Sequence, residues 1–104
     1  MSEQVLTRAI IEAANGTRLV HVWRNQSGKA RVRGGYMQLA PAGSPDVIGY
    51  SLIGARFIGL EVKLPGEKAT SIQETWISEI AKAGGIAAVV WSVDDALAAI
   101  RGAS

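Results

Sequence analysis

Between Val5 and Ala13, apolar residues return every three or four positions, at Val5, Leu6, Ala9, Ile10 and Ala13. This spacing predicts an amphipathic helix with one inward face, capped by Ser2 and stopped at Asn15-Gly16. "RLVHVWR" (Arg18 to Arg24) is rich in β-branched and aromatic residues and reads as a strand. "NQSGKARVRGG" (Asn25 to Gly35) reads as an exposed, flexible basic loop with room for one short strand. "YMQLAPAGSPD" then reaches Asp46 through a turn-rich stretch with two prolines.

Two strands follow, "DVIGYSL" and "ARFIGLEVKL", with a short break at Ile53-Gly54, which is hairpin spacing. "PGEKA" is a loop. Thr70 opens a helix to about Ala83, with Ile72, Trp76, Ile77 and Ile80 on its apolar side and Gly84-Gly85 ending it. "IAAVVWS" is apolar throughout and predicts a central strand covered on both faces. Ser92 or Asp94 caps a last helix to about Arg101. The order α-β-β-β-α-β-α predicts an α/β fold, a mixed sheet flanked by helices. At 104 residues, one domain spanning 1–104 is expected.

Composition narrows the function classes. No apolar run approaches the ~20 residues of a membrane helix. The charged, amphipathic N-terminal stretch does not read as a signal peptide. Without cysteine there are no disulfides, thiol nucleophiles or zinc-thiolate sites, which fits a cytoplasmic protein. Net charge is only +2, but it is unevenly spread. Arg18, Arg24, Lys29, Arg31 and Arg33 precede Asp46 with no acid among them from Arg18 to Pro45. Acids outnumber bases after that point, seven to five. A basic stretch beside an acidic cluster suits a polyanion held against a cation, although a solvated basic loop would look the same.

The chemistry concentrates in "FIGLEVKLPG" (Phe57 to Gly66). Alternation puts Ile58, Leu60, Val62 and Leu64 on one face of the strand. Phe57, Gly59, Glu61 and Lys63 take the other, and Gly59 leaves space beside the charged pair. With the hairpin turn centred between Ile53 and Gly54, Asp46 falls opposite Glu61, with Cβ atoms about 5 Å apart. Two carboxylates at that distance repel unless a cation or a proton lies between them. Mg²⁺ or Mn²⁺ suits such oxygens, and the Val62 carbonyl can add another. Lys63 is placed to orient water and to offset charge building on a phosphate. The plain alternative is a solvent-facing ion pair on an edge strand, worth little energetically.

"PD" followed fifteen residues later by "E-V-K" resembles the PD-(D/E)xK nuclease superfamily. "VWRNQSG", "GSPDVIG", "FIGLEVKLPGEKATSIQETW" and "AGGIAAVVWSVDDAL" together resemble the virus-type replication-repair nuclease domain, VRR-NUC, over nearly the whole chain. That family includes small standalone phage and bacterial proteins and the C-terminal domains of Fanconi-associated nucleases. The resemblance implies a restriction-endonuclease-like fold and a Mg²⁺- or Mn²⁺-dependent endonuclease that hydrolyses phosphodiester bonds in branched DNA. Four-way (Holliday) junctions would be cut by a homodimer in the cytoplasm of a bacterium or phage-infected cell. The first helix or the apolar face near Tyr50–Phe57 would join the two copies.

By the same resemblance Asp46 and Glu61 are metal-binding carboxylates and Lys63 is the catalytic lysine. Gln73 of Q-x-x-W orders the site, and an acid of the first helix, Glu3 in preference to Glu12, completes it. Arg24 and Asn25 match the family's R-N element and contact DNA, and the basic stretch onward through Lys29, Arg31 and Arg33 is expected from its charge to track the DNA backbone. Plainer roles stand beside these. T-x-x-Q at Thr70–Gln73 is also a capping box. Trp76 is at core spacing, Glu3 and Glu12 are ordinary helix charges, and Arg24 ends a strand. His21 has no sequence partner for a triad, and Asp94-Asp95 suit a helix start. A monomeric flap or nicking nuclease, or a non-catalytic subunit that binds DNA structure, are the competing functions.

Overall fold

The computed structural model describes residues 1–26 and 29–102. Helix α1 (Glu3–Gly16) begins where Ser2 accepts a hydrogen bond from the Val5 N–H at 3.1 Å. Strands β1 (Val20–Arg24), β2 (Lys29–Val32), β3 (Gly35–Gln38), β4 (Val47–Ser51) and β5 (Phe57–Val62) follow. Helix α2 (Ser71–Lys82), strand β6 (Ile86–Val90) and helix α3 (Val93–Gly102) complete the order. Four strands form one sheet in the order β1-β4-β5-β6, antiparallel except for the parallel β5–β6 pair. This is a compact α/β fold with a mixed sheet flanked by helices.

The expected hairpin register holds: Val47 pairs with Leu60, Ile48 with Gly59 and Tyr50 with Phe57. The connection turns through Gly54 and Ala55, both with positive φ. Ile58, Leu60 and Val62 are buried against Leu6, Ile10 and Ala14 of α1, Val20, Val22 and Val47, and Ala96 and Ile100 of α3. Helix α2 packs against β5 and β6 on the opposite face. Among the described residues no helix is long and apolar enough to cross a membrane.

Four expectations change. The basic loop contains a hairpin, β2 with β3, that forms a sheet of its own, so two strands stand where one short one was expected. Strand β6 is an edge of the sheet, not its centre. Its apolar sequence reflects helices on both faces, α2 on one and α3 on the other, which bury side chains without a second strand neighbour. The buried stripe of α1 is Leu6, Thr7, Ile10 and Ala14, and Val5, one residue out of line, is exposed. Helix α2 buries no residue fully and Ile72 is more than half exposed, because this short helix lies across only two strands.

The far edge, β1, is partly closed by α1. Asn15 accepts from the Val22 N–H at 2.8 Å and donates to the Val22 carbonyl at 3.0 Å. Both groups face the open side of an edge strand, and one amide satisfies them in place of a neighbouring strand. Asn15 therefore does more than stop the helix.

Candidate active site

Asp46 stands immediately before β4, and the chain leading to it is held from two sides. The Asn25 N–H donates to the Asp46 carbonyl at 2.8 Å. The Asn25 side-chain amide donates to the Ser44 hydroxyl and the Pro45 carbonyl, both at 2.9 Å. From the other side the Trp76 indole donates to the Ala42 carbonyl at 3.0 Å. Gly43 sits there at φ +81, where a Cβ would collide with Ile72. Asn25 and Trp76 thus act first on the backbone that presents Asp46. Asp46 then reaches across the sheet and its Oδ2 accepts from the Val62 N–H at 2.8 Å.

This places the Asp46 carboxyl against Glu61. Glu61 belongs to β5, an inner strand, and is only 2% exposed. The solvent-facing edge pair is therefore excluded. Lys63 Nζ lies 3.9 Å from Glu61 Oε2, and the lysine side chain is itself largely covered. Among the described residues, Glu61 Oε1 is buried with no hydrogen-bond partner. Burial pushes the Glu61 carboxyl up to about 9, and a hydrogen bond and charge from Asp46 push the same way. Lys63 opposes the rise and Glu3 adds to it. Gly59, expected to open space here, instead makes room for its own neighbours. A Cβ on it would stand 2.9 Å from both Pro45 and Ile80.

The first-helix acid at this site is Glu3. Its carboxyl is raised above the ordinary range by burial, then by a hydrogen bond and charge from Glu67, with Asp46 adding and Lys63 opposing. Glu12 lies about two and a half turns along the same helix, on its opposite side, and is exposed. Glu67 was not picked out from the sequence. Its Oε1 accepts from the Leu64 N–H at 2.7 Å and its carbonyl accepts from the Trp91 indole at 2.8 Å. The signal was present in Leu64-Pro65-Gly66-Glu67. Pro then Gly in a four-residue turn, here with Gly66 at φ +90, folds the following acid back toward the strand end.

Gln73 is engaged in the capping box. Its Oε1 accepts from the Thr70 N–H at 2.8 Å, and the Thr70 hydroxyl accepts from the Gln73 N–H at 3.3 Å. Gln73→Ala is therefore expected to cost about 1 kcal/mol of stability. A thermal melt of the variant beside the wild type measures that cost. Asp95 has a comparable helix-start role, accepting from the Trp91 N–H at 2.9 Å while its own N–H donates to Ser92.

Arg24 ends β1 beside Asn25, and Arg31 and Arg33 lie on the β2–β3 hairpin, all three exposed. The hairpin leaves the sheet between Asn25 and Ser44, so its root is the segment that holds Asp46. The backbone of Lys29 belongs to β2, but its side chain lies outside the described residues, as do Ser27 and Gly28 at the end of "VWRNQSG".

The donor chemistry fits a hard divalent cation. A buried carboxylate oxygen without a partner, pressed by a second carboxyl, is the state such a cation relieves. Among the described residues, no group of three or more acids, histidines or cysteines is placed to hold a metal ion. Two carboxylates and a backbone carbonyl, with the rest of the shell left to water, suit Mg²⁺, which keeps several of its waters. Neither the family models nor the curated proteins compared with this chain give a match.

Proposed function

We propose that this chain is a metal-dependent, structure-specific DNA endonuclease of the VRR-NUC type, with the PD-(D/E)xK arrangement of its site. The observation that carries the reading is Glu61, buried on an inner strand beside Asp46 and Lys63, with one carboxyl oxygen that no described residue pairs. Burying a carboxylate in that state costs stability and has no evident structural return. A buried carboxyl perturbed by desolvation and by specific charge partners marks a functional-site candidate.

Asp46, Glu61 and the Val62 carbonyl would hold Mg²⁺ or Mn²⁺. When bound, the cation supplies Lewis acidity toward a phosphate oxygen and lowers the pKa of water. Lys63, held near Glu61, orients the attacking water and offsets negative charge on the phosphate. Glu3, hydrogen-bonded to Glu67, adds a charge interaction with Lys63 from α1. Arg24, Arg31 and Arg33 engage the DNA backbone, which sets register and orientation without reading sequence. The substrate we assign is branched DNA, with four-way junctions cut by a homodimer, since paired nicks need two sites related by a two-fold axis.

The test is incubation with labelled four-way junction, splayed-arm, flap and plain duplex DNA in Mg²⁺ or Mn²⁺. Metal-dependent cutting of the branched forms is expected, with symmetric paired nicks in the junction. Binding without cutting in either metal would instead make the chain a recognition subunit. A monomeric solution mass with cutting confined to flaps would replace the resolvase by a nicking enzyme.

A further inference from the structure

The sheet face that carries Glu61 is only half covered. Rows of paired residues cross it from β5 to β1. The Glu61 row continues through Asp46 to Asn25, the next through Gly59 and Ile48 to Trp23, and the next through Phe57 and Tyr50 to His21. Directly paired residues share a face, so Glu61, Trp23, Tyr50, Phe57 and His21 all project from one side. Helix α2 packs on that side against β5 and β6. Over β1 and β4 the rings stay open: Trp23 is 44% exposed, Tyr50 40% and Phe57, at the start of β5, 48%.

These rings are ordered among themselves. His21, Trp23 and Tyr50 pack edge to face, with centroids 5.5 Å apart for His21–Trp23, 5.6 Å for His21–Tyr50 and 6.3 Å for Trp23–Tyr50. His21 Nδ1 and the Tyr50 hydroxyl are 3.3 Å apart. A preformed aromatic ledge loses little side-chain freedom when a flat partner settles on it. The charge around it points to an anion. The β2–β3 hairpin with Arg31 and Arg33 begins just beyond the end of β1, and no acid occurs from Arg18 to Pro45. Two residues along a strand span about 7 Å, which sets the Trp23 row one such step and the His21–Tyr50 row two steps from the carboxylates. That separation is of the order of one or two nucleotides of extended single strand.

We propose that the His21–Trp23–Tyr50 ledge stacks unpaired bases next to a phosphate held at the carboxylates, so that branched DNA with single-stranded arms is bound more tightly than fully paired DNA. Stacking of this kind tolerates any sequence, because every base has a flat face, and it adds to phosphate contacts without base readout. The proposal rests on the nucleic-acid reading of the site but not on catalysis.

Binding is therefore measured without divalent metal, by fluorescence anisotropy, on a splayed-arm DNA, the same DNA with abasic residues in its unpaired arms, and a plain duplex. For the wild-type chain, abasic arms are expected to weaken binding about tenfold. Trp23→Ala should weaken binding to the base-bearing arms by a similar factor and leave the abasic and duplex affinities unchanged. Trp23→Phe should restore most of the loss. Equal binding of Trp23→Ala and wild type to the base-bearing arms overturns the ledge and leaves the nuclease reading standing. So does a uniform loss on all three DNAs accompanied by conversion of a dimer to a monomer, which would make this face the contact between two copies. Absence of wild-type binding to any DNA overturns both readings together.

Discussion

Asp46→Asn is expected to lower metal-dependent cleavage of branched DNA by about a hundred- to a thousandfold while leaving the fold intact. The asparagine is chosen for a structural reason. Asp46 Oδ2 accepts from the Val62 N–H, and the Asn carbonyl oxygen can accept the same bond. Alanine would leave that buried N–H without a partner, at a cost of about 1–3 kcal/mol, and would confound chemistry with folding. Asparagine removes the charge, and with it much of the affinity for a hard cation. Several kcal/mol of transition-state stabilisation are at stake, and each 1.36 kcal/mol is tenfold in rate. Single-turnover cleavage at saturating Mg²⁺, with a thermal melt alongside, is the measurement. Unaltered cleavage by Asp46→Asn would remove Asp46 from the reaction.

Glu61→Gln is expected to abolish cleavage and, without metal, to make the protein more stable at alkaline pH. The Glu61 carboxyl is raised from 4.5 to about 9, first by burial and then by Asp46. Between those two values the folded protein keeps a proton that the unfolded chain has released. The stabilisation is therefore complete below about 4.5, shrinks as pH rises, and is gone once pH passes about 9. Glutamine cannot ionise, so the variant's melting temperature should not follow this decline. Near pH 9 a gain of about 1 kcal/mol would raise Tm by roughly 4–8 °C in a domain of this size. Added Mg²⁺ should raise the melting temperature of the wild type but not of Glu61→Gln, since the cation must replace the proton. Parallel Tm-against-pH curves for the two proteins would show that Glu61 does not carry the burden assigned to it.

The two predictions describe one property. The site holds unfavourable electrostatics, and Asn25, Trp76 and the turn through Pro65-Gly66 hold the backbone that sustains it. Helix α2 buries no residue fully, yet it contributes Trp76 to the loop before Asp46 and Ile80 against Gly59. Its service to the site is thus greater than its share of the core.

Local sequence was enough for the elements whose cause is local. Period-two alternation determined the core face of Phe57–Val62, and the short break at Ile53-Gly54 determined the register that sets Asp46 beside Glu61. Thr70 and Gln73 announced their own capping box. The positions that sequence left open depend on residues far apart in the chain. Whether Glu61 and Lys63 lie on an edge or inside was decided by β6 pairing in parallel with β5, after an intervening helix, and by α2 closing over that face. The same parallel pairing put apolar β6 at the edge, because alternation reports which faces are covered and carries no record of how many strand neighbours a strand has. Glu3 over Glu12, the recruitment of Glu67, and the use of Asn25 to hold Pro45 rather than face solvent were likewise decided by packing. Charge and hydrogen-bonding capacity are properties of a residue, but the partner that uses them is a property of the fold.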